Sequence, residues 1–483
     1  MNKPLRRIAI FCGLLMLALL LRDNWLQYAQ ADALAKDSDN RRVRIERYSI
    51  PRGDIIVDGK AITGSKRTDG EFQYKRTWKN GPMWAPVTGY SSQAFDSNQL
   101  EKLEDGILTG NDDRLFFRNT LDMLTGEERQ GGNVVTTLST AAQKAAWNGL
   151  KGKKGAAVAL DPATGKILAL VSAPSYDPST FAGSMNSDSE AWNSLQKKNN
   201  EDDPMLNRAL RQTYPPGSTF KVVTAAAALE EGLIDDIDAS TDSPDPFPLP
   251  QSTSKLTNDH GVCENVSLRE AMRISCNTVF GKISDELGNK TMIEHSDKFG
   301  FNEEIFTPVR ADASIYPEDV PPQNAMAGIG QASNRATPLQ MAMVAAAVAN
   351  DGKLMKPYMV DQLRSADLDV IEKTEPEELS QAVSPENAQK LQDMMETVVE
   401  TGTGTTAKIP GVTVGGKTGT AQHGENNEKN PYAWFISYAK DSNGKSVAVA
   451  VVVEDGSAVR ENISGGGLAA PIAKDIMKAV LGK

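Results

Sequence analysis

Tyr214-Pro-Pro-Gly-Ser-Thr-Phe-Lys221, running on into Val222-Val-Thr-Ala-Ala-Ala-Ala-Leu229, decides how this chain is read. Pro-Pro-Gly sets a rigid turn, and the residues after it favour a helix that is apolar nearly all round. Such a helix belongs in the middle of a fold, with Gly232 as its stop signal. A lysine at the start of a buried helix calls for a chemical reason. Ser218 and Lys221 stand at i and i+3 and share a helix face, so the amine can reach the hydroxyl. Desolvated beside other positive charge, that amine becomes neutral enough to accept the serine proton. The helix N-terminus favours negative charge developing at Ser218.

Two further triplets follow in order. Ser275-Cys-Asn277 offers a second proton-handling hydroxyl beside an amide, and Lys417-Thr-Gly419, with Thr420, offers a basic strand edge for a carboxylate. Gly419 lets another backbone come close. The short patterns prove little one by one. Ser-x-x-Lys occurs five times, at Ser194, Ser218, Ser252, Ser437 and Ser442, and Ser-x-Asn three times, at Ser38, Ser184 and Ser275. Order and context single out Ser218, Lys221, Ser275 and Asn277. A Ser-His-Asp hydrolase would need one of the three histidines, His260, His295 or His423, and no G-x-S-x-G elbow surrounds any serine. Asp202-Asp203 and Asp235-Asp236 read as solvated loop charge, and no metal-ligand spacing is present; neither a metal nor a cofactor is expected.

The chain has 483 residues, room for at least two domains, and a net charge of −11, which argues against nucleic acid as a partner. Lys3, Arg6 and Arg7 precede an apolar run from Ile8 to Leu21, and Arg22, Asp23 and Trp25 follow it. This reads as an uncleaved membrane anchor with its basic end in the cytoplasm and the rest of the chain exported. The A-x-A-like sites Ala29–Ala31 and Ala33–Ala35 lie too far beyond the run for a typical cleavage signal. Cys263 and Cys276 are the only cysteines outside it. They fit two buried thiols or a disulfide beside the second motif, and sequence does not supply the Cα separation that decides between them.

Residues 1–25 are read as cytoplasmic stub and anchor, 26–135 as a polar, β-rich pedestal, and 136–483 as the catalytic domain. In the pedestal, Val43 to Val57 reads as strand material broken by Pro51, with a hairpin turn at Asp58-Gly59. In the third segment a helix is predicted over 139–150, a hairpin around Asp161–Gly165, strands over 412–421, 433–439 and 446–454, and a closing helix over 469–481. Ser243 to Pro250, with four prolines, is predicted to be loop. The class is α+β: an antiparallel sheet packed against helices.

With these residues in place, the chain resembles a class B penicillin-binding protein along its whole length, most of all the actinobacterial penicillin-binding protein A group. Arg52-Gly-Asp-Ile-Ile-Val-Asp-Gly59 is similar to the family's motif after the anchor, Asn207-Arg-Ala209 stands where expected before the nucleophile, and Gly328–Gln331 with Ala336–Gln340 matches the segment between the second and third motifs. The resemblance implies a five-stranded antiparallel sheet flanked by helices, with an all-α subdomain. It implies that Ser218 is acylated by the penultimate D-Ala of a stem peptide, with Lys221 as base and Ser275 and Lys417 shuttling the proton. Backbone N–H groups of Ser218 and Thr420 would form the oxyanion hole, Asn277 would hold the substrate amide, and Thr418 and Thr420 its carboxylate. It also implies β-lactam inhibition, an extracytoplasmic catalytic domain, and work beside a polytopic lipid II-polymerising glycosyltransferase. A D,D-carboxypeptidase and a non-enzymatic β-lactam sensor are the alternatives. A class A β-lactamase would need its deacylating glutamate between the second and third motifs, whereas the look-alike Asp203-Pro-Met-Leu-Asn207 precedes the first.

Overall fold

The computed structural model describes residues 3–35, 40–115, 129–196, 202–259, 261–424, 427–454, 460 and 463–483. Ser38, Lys197 and His260, each noted above, lie outside these. Helix α1, Lys3–Ala29, buries none of its residues. Its 27 residues extend well past the apolar run on both sides, giving about 40 Å of rise, enough to cross a bilayer core of about 30 Å.

The stretch read as strand from Val43 opens instead as a helix, α2, Arg41–Arg47. Its alternating Arg-Val-Arg-Ile pattern mimics period two, but local hydrogen bonding wins: the Asn40 side chain accepts from the Arg42 N–H at 3.2 Å. Arg47 then pairs with Asp96 at 2.9 Å and Asp105 at 3.3 Å. Strand β1, Ile55–Val57, turns through Asp58-Gly59 into β2, Lys60–Ala61, and both turn residues have positive φ, +47° and +69°. On β1's other side runs β3, Asn133–Thr136, in parallel.

Beneath this sheet lies a buried ion cluster. Glu101, fully buried, accepts from Arg52 Nε at 2.6 Å and Arg76 Nε at 2.7 Å, and Arg52 reaches Asp105 at 2.6 Å. The sheet is not closed by its own segment. Val360–Arg364, far along the chain, pairs antiparallel with β3, and Val370–Lys373 adds a further strand outside it.

From β3 the chain passes into α3, Thr140–Gly149, and then into the central sheet. That sheet is formed by β4, Gly155–Leu160, and β5, Ile167–Ala173, together with three strands from the end of the chain. Between come α4, Lys221–Glu230; α5, Leu268–Ile274; α6, Asn277–Lys298; α7, Pro338–Ala349; and α8, Pro385–Thr401. The last strands are β6, Thr413–Ala421; β7, Tyr432–Lys440; and β8, Ser446–Val453; helix α9, Ala470–Leu481, closes the chain. The sheet order is β6-β7-β8-β4-β5, every neighbour antiparallel, so β6 is an edge.

Alternation divides the sheet into two buried faces. Val158, Leu170, Ile436 and Val452 join the cluster that holds α4 and α7. Ala157, Val171, Phe435 and Val449 join Ile476 and Met477 of α9. Every α4 residue from Lys221 to Leu229 is buried, as its apolar sequence predicts. The proline-rich stretch differs slightly from expectation: Phe247–Pro248 pairs with Lys255–Leu256 in a two-stranded ladder. Phe247 keeps its N–H, and a proline at a short edge ladder is tolerated.

Candidate active site

At Gly217 the chain turns with φ +54°, and the Gly217 N–H donates to the Gly330 carbonyl at 2.9 Å. A Cβ added at Gly217 would stand 3.0 Å from the Ala421 Cβ, and one at Gly330 would collide with the Gly217 carbonyl oxygen at 2.1 Å. Three backbones therefore meet here. Ser218 follows in a single 3-10 turn, Gly217–Phe220, that runs straight into α4.

Lys221 is fully buried, over the Phe280 ring at 5.7 Å. Its Nζ donates to Asn277 Oδ1 at 2.7 Å, the Ser275 carbonyl at 2.8 Å and Ser275 Oγ at 3.3 Å. The hydrogen bonds of Lys221 Nζ all run to the second motif and none to Ser218, the partner expected from the i, i+3 spacing. Three acceptors on one side of a desolvated amine outweigh one half-buried hydroxyl.

Ser275 ends α5 in the left-handed region, φ 66° and ψ 44°, a conformation uncommon outside glycine and asparagine. That turn directs both its oxygens at Lys221. Cys276 and Cys263 form a disulfide with Cα atoms 6.0 Å apart. The loop it ties down supports the motif from behind: Asn258 Oδ1 accepts from the N–H groups of Asn277 at 2.6 Å and Thr278 at 3.1 Å, capping α6. Asn277 Nδ2 donates to the Thr257 carbonyl at 3.1 Å.

Lys417 sits opposite Ile436 in the β6–β7 ladder, so it takes the face covered by α4. Its Nζ donates to Ser275 Oγ at 2.8 Å and to the Thr418 carbonyl at 2.9 Å. Gly419 is the point of close approach: a Cβ there would lie 3.0 Å from Thr219 Cγ2 and 3.2 Å from the Pro216 carbonyl oxygen. The hydroxyl of Thr418 bonds that of Thr403 at 2.6 Å.

Two buried lysines therefore share one hydroxyl. Burial lowers Lys417 to about 7, and Lys221 is held well below the usual lysine range, first by burial and then by Lys417. Amines with depressed proton affinity on both sides of Ser275 Oγ can pass a proton along the line amine, hydroxyl, amine.

The remaining expected residues fall elsewhere. His295 pairs with Glu231 at 2.8 Å, at the end of α4, and His423 stacks on Tyr432 with ring centres 3.9 Å apart. Asp203 accepts from the Met205 N–H and Asp236 from the Asp238 N–H, both ordinary turns. Asn258 and Thr403 are not singled out by the sequence, whereas Gly330 lies in the Gly328–Gln331 segment already noted. Asn258 carries no local signal. Thr403, in Thr401-Gly-Thr-Gly404, has only its flanking glycines to mark it.

Residues 155–478 match the penicillin binding protein transpeptidase domain, and residues 52–134 the penicillin binding protein A dimerisation domain. The chain is 42% identical to peptidoglycan D,D-transpeptidase PbpA of Mycolicibacterium smegmatis, covering 100% of this chain and 99% of that protein. It is 41% identical to the protein of the same name from Mycobacterium tuberculosis, over 100% and 99%. Among solved structures it resembles penicillin-binding protein A from M. tuberculosis as a ceftriaxone acyl-enzyme complex, with TM-score 0.84 and 40% identity over 90% of this chain and 100% of that one. The penicillin G acyl-enzyme of the same protein gives 0.83 and 41% over the same shares.

Proposed function

The chain belongs to the class B penicillin-binding protein transpeptidases, and from that premise we propose how it works as a peptidoglycan D,D-transpeptidase: through an acyl-enzyme on Ser218. Lys221, whose proton affinity burial and Lys417 lower, takes the Ser218 proton in its unprotonated form as the hydroxyl attacks the penultimate D-Ala carbonyl of a stem peptide. The oxyanion is held by the backbone N–H groups of Ser218 and Thr420, a pairing supported by the close approach of residues 216–219 to 419–421. Ser275 and Lys417 pass the proton to the leaving D-Ala nitrogen as the C–N bond breaks. Asn277 holds the substrate amide, and Thr418 and Thr420 hold the terminal carboxylate. An amine of a neighbouring stem peptide then attacks the ester, loses its proton through the same groups, and releases Ser218. A β-lactam takes the place of the donor and stays bound as the acyl-enzyme.

The observation that carries this reading is the pair of buried lysines sharing Ser275 Oγ, at 2.8 and 3.3 Å. The test is a fluorescent penicillin added to the full chain in detergent. A covalent adduct is expected, absent in Ser218→Ala. No adduct, or one that survives the substitution, would falsify the assignment. With a donor thioester and an acceptor amine together, cross-linked dimer is the expected product, and trimmed peptide alone would indicate a carboxypeptidase.

The segments 1–25, 26–135 and 136–483 serve in this reading as anchor, pedestal and catalytic domain. The basic residues at the start of α1, Lys3, Arg6 and Arg7, favour an extracytoplasmic catalytic domain, and the Cys263–Cys276 bridge suits an oxidising compartment. A polytopic lipid II-polymerising glycosyltransferase is the proposed membrane partner, contacted through α1 and the pedestal.

A further inference from the structure

The ends of the central strands border an open cavity of ≈ 990 Å³. It lies past the last residue of β6 and across the ends of β7, β8, β4 and β5: His423, Tyr432, Glu454, Lys154 and Ala173 all line it. The Tyr214-Pro-Pro-Gly turn joins it to Ser218. The Tyr214 ring meets that of Tyr432 with centres 5.0 Å apart, and Trp434 Nε1 donates to the Pro215 carbonyl at 3.0 Å.

Its charge is opposite to that of the chain. Arg208 and Lys154 are matched by Glu454, at 3.4 and 3.3 Å, and Lys154 also by Asp202 at 3.4 Å. Three more cations line the cavity: Lys151, Lys153 and Lys429. No ion pair joins any of them to an acidic group among the described residues. Among the described residues that line it, cations therefore outnumber carboxylates five to two, in a protein of net charge −11. Such a concentration attracts an anion.

The direction of the substrate says which one. With the leaving residue's carboxylate at Thr418 and the scissile carbonyl between Ser218 and Thr420, the rest of the donor extends along β6 towards Ala421 and His423. At about 3.3 Å per extended residue, the donor reaches the cavity within three or four positions. We propose that this cavity is a second anchoring point for the donor peptide, holding a carboxylate carried three or four residues upstream of the scissile bond. This rests on the transpeptidase reading above.

The probe is a pair of acyl-D-Ala thioester peptides, identical except for glutamate or glutamine three residues upstream. Acylation of the full chain in detergent is followed by thiol release, with fluorescent penicillin, which lacks that carboxylate, as reference. The glutamate donor should acylate about tenfold faster at low salt, the equivalent of a few partly exposed charge contacts, with the gap shrinking as salt is added. In Lys151→Gln/Lys153→Gln/Lys429→Gln the ratio should fall to about one, with glutamine-donor and penicillin rates within about twofold of the parent. Should the triple variant not fold, the salt dependence of the parent's ratio tests the idea alone. Equal rates for the two donors in the parent, or a preference that survives in the variant, overturn the proposal while penicillin still acylates Ser218. Failure of penicillin to acylate the parent overturns the transpeptidase reading itself. A carboxylate preference seen only when the group is moved to the acceptor also overturns it.

Discussion

Replacing Lys417 with methionine should make the protein more stable near neutrality while abolishing its chemistry. The folded state holds this fully buried amine at about 7, against an ordinary lysine value of 10.5. Above 10.5 the amine is neutral in both folded and unfolded chains and folding carries no penalty from it. Between 10.5 and 7 the unfolded chain binds a proton that the folded chain refuses, so stability falls by about 1.4 kcal/mol per pH unit as pH drops. At pH 7 the accumulated cost is roughly 4 kcal/mol. Methionine keeps the length and removes the charge. It forfeits the contacts to Ser275 Oγ and the Thr418 carbonyl, leaving a net gain of the order of 3 kcal/mol at pH 7. Thermal unfolding of parent and Lys417→Met should be followed from pH 7 to 10. The variant's melting temperature should exceed the parent's by several degrees at pH 7, and the gap should close as pH approaches 10. Penicillin acylation should drop by at least about a hundredfold, the usual weight of a positioned acid–base group. A gap of equal size at pH 7 and 10, or a variant less stable at pH 7, would refute the burial argument. In the parent, acylation should rise with pH through the neutral range as the amine pair loses its proton, the apparent midpoint belonging to Lys221 and Lys417 together.

Glu101→Ala should destabilise by about 3–5 kcal/mol, because it strands Arg52 and Arg76 without their buried partner; a melting temperature within a degree of the parent's would count against the cluster. Cys263→Ser/Cys276→Ser should cost about 3 kcal/mol from the short loop that the bridge closes, and should slow acylation by freeing the left-handed Ser275 turn; a loss of stability with an unchanged acylation rate would separate the bridge from the motif. Thr403→Val removes the hydroxyl bonded to Thr418, worth about 1 kcal/mol. Acylation should slow about fivefold, and a change below twofold would mean that Thr418 keeps its position unaided.

The strands of the central sheet and helix α4 are legible in sequence for the same reason: their folding is local and they are almost wholly buried. Val447 to Val453 and Val222 to Leu229 are apolar runs with one reading each, bounded by turn residues. The three motifs stand out because a lysine or a paired hydroxyl inside such runs has no packing purpose. What stays hidden is set by partners distant in sequence. Asn258 matters because α6 begins beside it, and Thr403 because β6 passes it. The stretch from Val43 reads as strand material because Val43 and Ile45 alternate with charged residues, yet a cap from Asn40 and ion pairs to Asp96 and Asp105 favour the helix Arg41–Arg47. The cysteine question also turns on distance, and the answer comes only with the 6.0 Å separation.

The strand Val360–Arg364, which lies within the residues that match the transpeptidase domain yet is hydrogen-bonded to β3 at the edge of the N-terminal segment, ties the two stretches of chain through one sheet. A pull delivered to Ile55 is carried sideways through a ladder of hydrogen bonds, all loaded together, instead of peeling them one at a time. β3 itself leads within a few residues into α3, which packs on the central sheet. Load entering near α1 thus passes through a hydrogen-bonded joint into the central sheet, whose strand β6 runs beside the turn that carries Ser218.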